Sequence, residues 1–316
     1  MDRKAELEAQ LAQLDSRVAE LRRTAQGGNQ SDIEELERLQ AEADAVAAEL
    51  YRDLEPWDHV TIARHDKRPY ALDYIEAVFE EFTELHGDRR YGDDGAVVAG
   101  LARLNERPVA VVAQQKGRTA SERKQRNFGM ARPEGYRKAM RIMQLAAKMR
   151  RPIISLVDTP GADCLADSES RGISEAIATN QRDMFSLPVP IVAAIIGEGG
   201  SGGAIGIAVA DRVLMLEHAY YSVIAPESCA AILWRNPELR RQSAEALKIT
   251  SADAKRLGVI DEIVPEPPGG AHRNPLAAAA ALREALVAAL ESIRGLPGEQ
   301  LMAARYMKFR TMGGPT

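Results

Sequence analysis

One stretch, Gly197-Glu198-Gly199-Gly200-Ser201-Gly202-Gly203-Ala204, constrains this chain more than any other. The run before it, 189–196, is apolar and β-branched, and the run after it, 204–210, is made of small residues with helical character. That order predicts a buried strand, a glycine-rich turn and a helix packed tightly on the sheet. Glycine lets backbone N–H groups approach a ligand with no Cβ between them, and a helix start adds positive potential. Such a turn suits a developing oxyanion, a phosphate or a carboxylate. The plainer reading is that the glycines only let helix and sheet approach each other.

A second special turn has the same placement. The apolar strand 152–157 runs into Asp158-Thr159-Pro160-Gly161-Ala162, and a helix over about 168–185 leads on to the glycine strand. Strand, turn, helix, strand, turn, helix predicts an α/β fold with a parallel sheet and right-handed crossovers. Ligands in such sheets collect at the C-terminal ends of the strands, where both turns lie. Upstream, 96–104 and 108–115 flank Asn105-Glu106-Arg107 as a hairpin, after a helix predicted over 72–85. Lys116-Gly117-Arg118, with Arg123, Lys124 and Arg126, then form a basic run before a helix that starts near Pro133. This run is either a solvated face or an anion site. His65 is likewise either a loop residue or a ligand contact. Late strands are expected at 212–216, 220–224 and 257–264, with helices after Pro226, from Asn274-Pro275 to about 293, and after Pro297-Gly298.

Residues 1–54 predict a helical hairpin. Leu7, Leu11, Leu14, Val18 and Leu21 form one stripe; Ile33, Leu36, Ala43, Val46, Leu50 and Leu54 form the other. Gly27-Gly28 marks the turn, and Ser31-Asp32-Ile33-Glu34 fits a capping box. The hairpin either closes on itself or on the body of its own chain, or docks another subunit; we take it as a docking arm, since its stripes exceed what a solvated arm needs. The domains are then 1–54, a body over 55–294, and a C-terminal helix and tail over 295–316. A net charge of −5 argues against nucleic acid as the main partner. Two cysteines, Cys164 and Cys229, support neither a disulfide framework nor a cysteine-rich zinc site, so no metal is expected. The charged start and the lack of any apolar run of ~18 residues predict a soluble, cytoplasmic protein without a signal peptide or membrane span.

Several motifs now join. Gln115-Lys116-Gly117-Arg118, Arg126-Asn127-Phe128-Gly129-Met130, Pro133-Glu134-Gly135-Tyr136-Arg137-Lys138-Ala139, Asp158 to Ala162, Gly197 to Gly203 and Gly269-Gly270-Ala271-His272-Arg273-Asn274-Pro275 occur in one order. Together they resemble the α subunit of bacterial acetyl-CoA carboxylase carboxyltransferase over nearly the whole chain. The resemblance implies a crotonase-like spiral of ββα units behind an N-terminal helical hairpin. It implies carboxyl transfer from carboxybiotin, presented by a biotin carboxyl carrier protein, to acetyl-CoA, giving malonyl-CoA for fatty acid synthesis. It also implies a zinc-containing β subunit in an α2β2 assembly, and a biotin carboxylase that uses ATP elsewhere in the holoenzyme. Two oxyanions then need N–H donors. By resemblance Gly199 and Gly200 serve the ureido oxygen, and the thioester hole lies mostly on the β subunit. Gly161, Ala162, Gly202, Gly203, Lys116, Arg118 and Arg137 are the implied substrate-binding residues.

The chain departs from the family pattern at Asp163-Cys164-Leu165-Ala166-Asp167, at Ser170 and at Ser228. Two added carboxylates there would repel a carboxylated cofactor, which leaves a specialised or non-catalytic paralogue as the alternative. Two further readings exist. Gly199-Gly200-Ser201-Gly202-Gly203 satisfies the nucleophile-elbow pattern, with His272 and Asp211, Asp253 or Asp261 as triad partners. A hydratase or isomerase would use Glu198 or Glu227 as base.

Overall fold

The sheet is built by eight strands: β1 (Glu80–Glu84), β2 (Val97–Leu104), β3 (Arg107–Gln114), β4 (Ile153–Thr159), β5 (Ile191–Gly200), β6 (Arg212–Leu216), β7 (Tyr220–Ser222) and β8 (Glu262–Val264). They come from a computed structural model that describes residues 3–24 and 30–313. The order is β1-β2-β3-β4-β5-β6-β8, with β7 added to β5 beside the main path. β1, β2 and β3 are antiparallel neighbours; from β3 onward every pairing is parallel. The β2–β3 hairpin turns on Asn105 and Glu106, both left-handed, as a tight two-residue turn demands. The helix Pro133–Lys148 returns the chain from β3 to β4, and Ile173–Phe185 returns it from β4 to β5. Every residue of β4 and β5 is buried, which accounts for their continuous apolar runs.

Several expected elements change length. The helix over 72–85 is a short helix, Ala71–Val78, followed by β1. Edge pairing decides this: Thr83 and Glu84 lie opposite Leu101 and Gly100, and a Cβ on Gly100 would stand 2.1 Å from the Thr83 carbonyl oxygen. The helix over 168–185 breaks at Gly172, which is left-handed at φ 81°. Within 257–264 only the last three residues form a strand, and 220–224 shortens to β7. A helix at Arg240–Leu247 has no counterpart among the expectations.

The N-terminal helices Arg3–Thr24 and Gln30–Leu50 do pack as a pair. Leu7, Leu11, Leu14 and Val18 are buried against Leu39, Ala43, Val46 and Ala47 in a cluster separate from the main core. The stripes therefore close on each other, which removes the argument that they exceed the hairpin's own needs. Ile33 faces outward, and Ser31 lies inside the second helix rather than capping it. The Gly27-Gly28 turn lies outside the described residues. The hairpin is tied to the body by Arg273, whose two terminal nitrogens lie 2.5 and 2.7 Å from the Asp15 carboxylate. The final helix, Gly298–Thr311, is no loose appendage. Buried Arg305 grips both Asp211 oxygens and the carbonyls of Met184, Leu187 and Val189. Among the described residues no helix is long and apolar enough to cross a membrane.

Candidate active site

Three parallel strands end side by side, and each delivers a charge. Lys116 follows β3, and Asp158 and Glu198 lie near the ends of β4 and β5. The Lys116 Nζ sits 2.7 Å from Asp158 Oδ1 and 2.6 Å from Glu198 Oε1. Glu198 Oε2 accepts from Arg64 Nε at 2.8 Å and from the Tyr220 hydroxyl at 2.5 Å. The Glu198 N–H donates to Asp158 Oδ1 at 2.9 Å, so backbone and side chain of this residue are both fixed. Arg64 continues to Glu227 Oε1 at 2.5 Å. Burial pushes the Glu198 carboxyl up, but Lys116, Arg64 and the Tyr220 hydroxyl outweigh it and hold the group at about 2. Beneath this network Arg68, wholly buried, donates to the Ile196 carbonyl and forks onto Glu266 at 2.6 and 2.8 Å. Glu266 is likewise held at about 2, Arg68 overcoming the effect of burial.

The network floors a cleft of about 240 Å³ lined by Arg64, Asp66, Tyr70, Lys116, Phe128, Pro160 and Glu198, among others. Gly161 and Gly199 to Gly203 are not among the residues that line this cleft, and one correction concerns the glycine stretch beside it. Gly197 to Gly200 are strand, not turn: Gly199 pairs with Thr159 on one side and Tyr221 on the other, and Gly200 with Ser222. The turn starts at Ser201, left-handed at φ 49°, and the helix, Ser201–Ile205, begins earlier than expected and shares only Ala204 and Ile205 with 204–210. Close approach explains the small residues. A Cβ on Gly200 would lie 2.2 Å from the Pro160 carbonyl oxygen, and one on Gly203 would lie 2.4 Å from the Gly161 carbonyl carbon. Gln114 Nε2 pins the turn from below by donating to the Gly203 carbonyl at 2.7 Å.

So Gly161, Ala162, Gly200 and Gly203 are brought together, with Gly202 at the open side of the turn, where a Cβ would meet only Ile177 at 3.6 Å. Lys116 joins them but spends its charge on two internal carboxylates. Arg118 and Arg137 do not line the cleft. Arg118 is ion-paired to Asp73 and lies over the Tyr70 ring, its guanidinium 4.7 Å from the centroid. Arg137 donates to the Arg171 carbonyl and lines a separate cavity with Arg89, Arg90 and Arg141. Two other members of the basic run are similarly engaged: Arg123 holds Asp66 at 3.0 Å, and Arg126 donates to the Gly95 carbonyl at 2.8 Å. His65 stacks on His272 at 3.9 Å between centroids.

The rival chemistries lose their geometry. Asp211 is taken by Arg305, Asp253 by Thr250 and Arg256, and Asp261 by Lys308 and the Val213 N–H, while His272 stacks on His65, so among the described residues no Ser–His–Asp triad forms around Ser201. Glu198, held near 2 by cations, is poorly matched to proton abstraction near neutral pH. The divergent loop is also internally compensated. Asp163 accepts from Ser168 Oγ at 2.7 Å with Arg132 at 3.6 Å, and Asp167 pairs with Arg171. Its carboxylates are thus balanced by arginines, which weakens the expected repulsion.

Sequence reasoning missed Arg64, Tyr220 and the clamping of Glu198. Arg64 reaches its partners across 134 and 163 positions, and no local pattern marks such a contact. Asp158 and Glu198 did leave a signal: a carboxylate at the end of an apolar strand cannot stay buried without a cation.

The family described as acetyl co-enzyme A carboxylase carboxyltransferase-like matches residues 4–313. A relative from Gloeobacter violaceus, named acetyl-coenzyme A carboxylase carboxyl transferase subunit alpha, is 50% identical over 97% of this chain and 94% of its own length. One of the same name from Geobacter sulfurreducens is 55% identical over 85% and 84%. Among solved structures, transcarboxylase 12S overlays with a TM-score of 0.59 at 20% identity, covering 72% of this chain and 42% of that one. A Pseudomonas malonate decarboxylase hetero-tetramer with coenzyme A gives 0.55 at 19% identity, over 68% and 86%. These structures share the fold, a crotonase-like one.

Proposed function

This chain belongs to the acetyl-CoA carboxylase carboxyltransferase α-subunit family, and from that premise we propose how its strand-end site takes part in forming malonyl-CoA. The observation that carries the reading is the clamping of Asp158 and Glu198 by Lys116 and Arg64, beside a turn that is open at Gly161 and Gly202. Bound carboxybiotin would supply both the activated carboxyl group and, after transfer, an acceptor for the acetyl methyl proton. The chain's part is then to orient and to stabilise charge. The strand end at Gly199-Gly200 and the turn at Ser201 to Gly203 direct backbone dipoles at the ureido edge, held in place by the Asp158–Glu198 anchor. We infer that a zinc-containing β subunit completes the acyl-CoA side in an α2β2 assembly. A carrier protein and a biotin carboxylase would complete the holoenzyme.

Reconstitution tests this. The chain alone should carboxylate nothing, whereas with a β-type subunit, biotin carboxylase, carrier, ATP and bicarbonate it should yield malonyl-CoA. In that mixture Ser201→Ala should stay within about threefold of the parent, because an exposed hydroxyl outside any triad has no covalent role. Full turnover by the isolated chain, or collapse on Ser201→Ala, sinks the proposal.

The hairpin is proposed to contribute to subunit association through its outer faces, since its inner stripes are mutually buried. Deleting residues 1–54 should leave the core's unfolding transition intact, because the two apolar clusters share no residue, while α–β affinity falls. Unchanged affinity in sedimentation would make the hairpin purely structural.

A further inference from the structure

The cleft carries an aromatic side chain in a disfavoured backbone state. Asn127, Phe128 and Gly129 occupy the left-handed region in succession, at φ 44°, 56° and 81°. For a bulky residue such as phenylalanine this is a rare conformation, because Cβ crowds the following carbonyl. The surroundings enforce it. The Gly129 N–H donates to the Arg126 carbonyl and the Met130 N–H to the Asn127 carbonyl, both at 2.9 Å. Asn127 Nδ2 donates to the Met130 carbonyl at 2.8 Å, and Thr159 Oγ1 donates to the Gly129 carbonyl at 2.7 Å. Gly129 also lies so near Lys116 that a Cβ would meet its Cγ at 2.8 Å. The loop is thus fastened to the ends of two strands, and the result is a Phe128 residue 53% exposed at the wall of the cleft. Strain of this kind persists where surroundings over-determine it, and it concentrates at ligand clamps.

The electrostatics select the ligand's chemistry. Arg64, Lys116 and Arg123, the cations of the cleft, are already paired with Glu198, Glu227, Asp158 and Asp66. A phosphate would find no free partner among them. A flat ring with a hydrogen-bonding edge fits both the aromatic wall and the polar floor. We propose that Phe128 is a specificity-determining residue whose ring packs against the face of the planar ureido ring of biotin. This rests on the carboxyltransferase reading. The geometry favours a rigid planar group here over a flexible thioester arm, which would gain less from one flat wall.

The test uses the α–β complex in the reverse direction, with malonyl-CoA as donor and free biotin as acceptor, so that each substrate has its own KM. Phe128→Ala should raise the KM for biotin about tenfold and leave that for malonyl-CoA within about twofold. Phe128→Tyr should keep the parent's values. Phe128→Gly should match the alanine variant in KM yet unfold at a temperature no lower than the parent, because glycine relieves the left-handed conformation. An unchanged biotin KM in Phe128→Ala, a rise confined to malonyl-CoA, or a lowered midpoint in Phe128→Gly overturns the proposal. A parent complex that transfers nothing overturns the carboxyltransferase reading as well, so the two failures are distinguishable.

Discussion

Gly200→Ala is expected to lower the turnover of the reconstituted enzyme by about 10²–10³-fold. Gly200 has φ −91°, which alanine tolerates, so the effect is one of space rather than of backbone preference. The added Cβ would lie 2.2 Å from the Pro160 carbonyl oxygen, 2.4 Å from its carbon and 2.8 Å from the Thr159 oxygen. All three are backbone atoms and none can swing aside. The strand can yield only at its end, since Gly199 is paired on both sides and Glu198 is anchored to Asp158. The strand end must therefore move away from the turn, which misdirects its N–H groups and costs about 1–3 kcal/mol of stability. Gly202→Ala separates packing from ligand approach. Its Cβ meets only Ile177 at 3.6 Å, so the fold should keep its thermal midpoint while turnover falls by tenfold or more. If Gly200→Ala were near parental in both rate and stability, or if Gly202→Ala were silent, the turn would be packing alone.

Lys116→Met should be the most destabilising single change at the site. It removes the ammonium that both Asp158 and Glu198 face and leaves two buried carboxylates without their shared cation. Breaking a buried pair in this way costs about 3–5 kcal/mol, because the remaining charge stays desolvated. Adding Glu198→Gln to Lys116→Met should recover part of the loss, which a double-mutant cycle in urea would measure. The pH dependence follows from the same contacts. Glu198 and Glu266 sit at about 2 against an ordinary 4.5, so their stabilising contribution is complete above about 4.5 and fades as the pH falls toward 2. In Lys116→Met the Glu198 value rises toward its ordinary 4.5, so that group's share of the acid-dependent loss shrinks and the stability gap between parent and variant should narrow as the pH falls below about 4.5. Equal urea midpoints for parent and variant from pH 7 to pH 3 would refute the shared-cation account.

What the sequence determined by itself is local. The apolar runs at 152–157 and 189–196 marked the two central buried strands, because only a strand covered on both faces can be apolar at every position. Asn105-Glu106 marked the hairpin, and Asn274-Pro275 marked a helix start, its side chain accepting from the Ala277 N–H. The heptad-like leucines marked the paired helices, though not which partner would bury them. Tertiary structure decided the rest. β1 exists because Gly100 lets Thr83 and Glu84 come close, a contact invisible in a segment that otherwise reads as helix. Gly197 to Gly200 continue a strand because Thr159, Tyr221 and Ser222 offer ladders on both sides, so glycines that signal a turn in isolation serve close packing instead. The charged floor of the cleft, drawn from Arg64, Lys116, Asp158, Glu198 and Tyr220, formed only when distant segments met. Ion pairs have no sequence period, and a buried carboxylate announces the need for a cation without naming which residue supplies it.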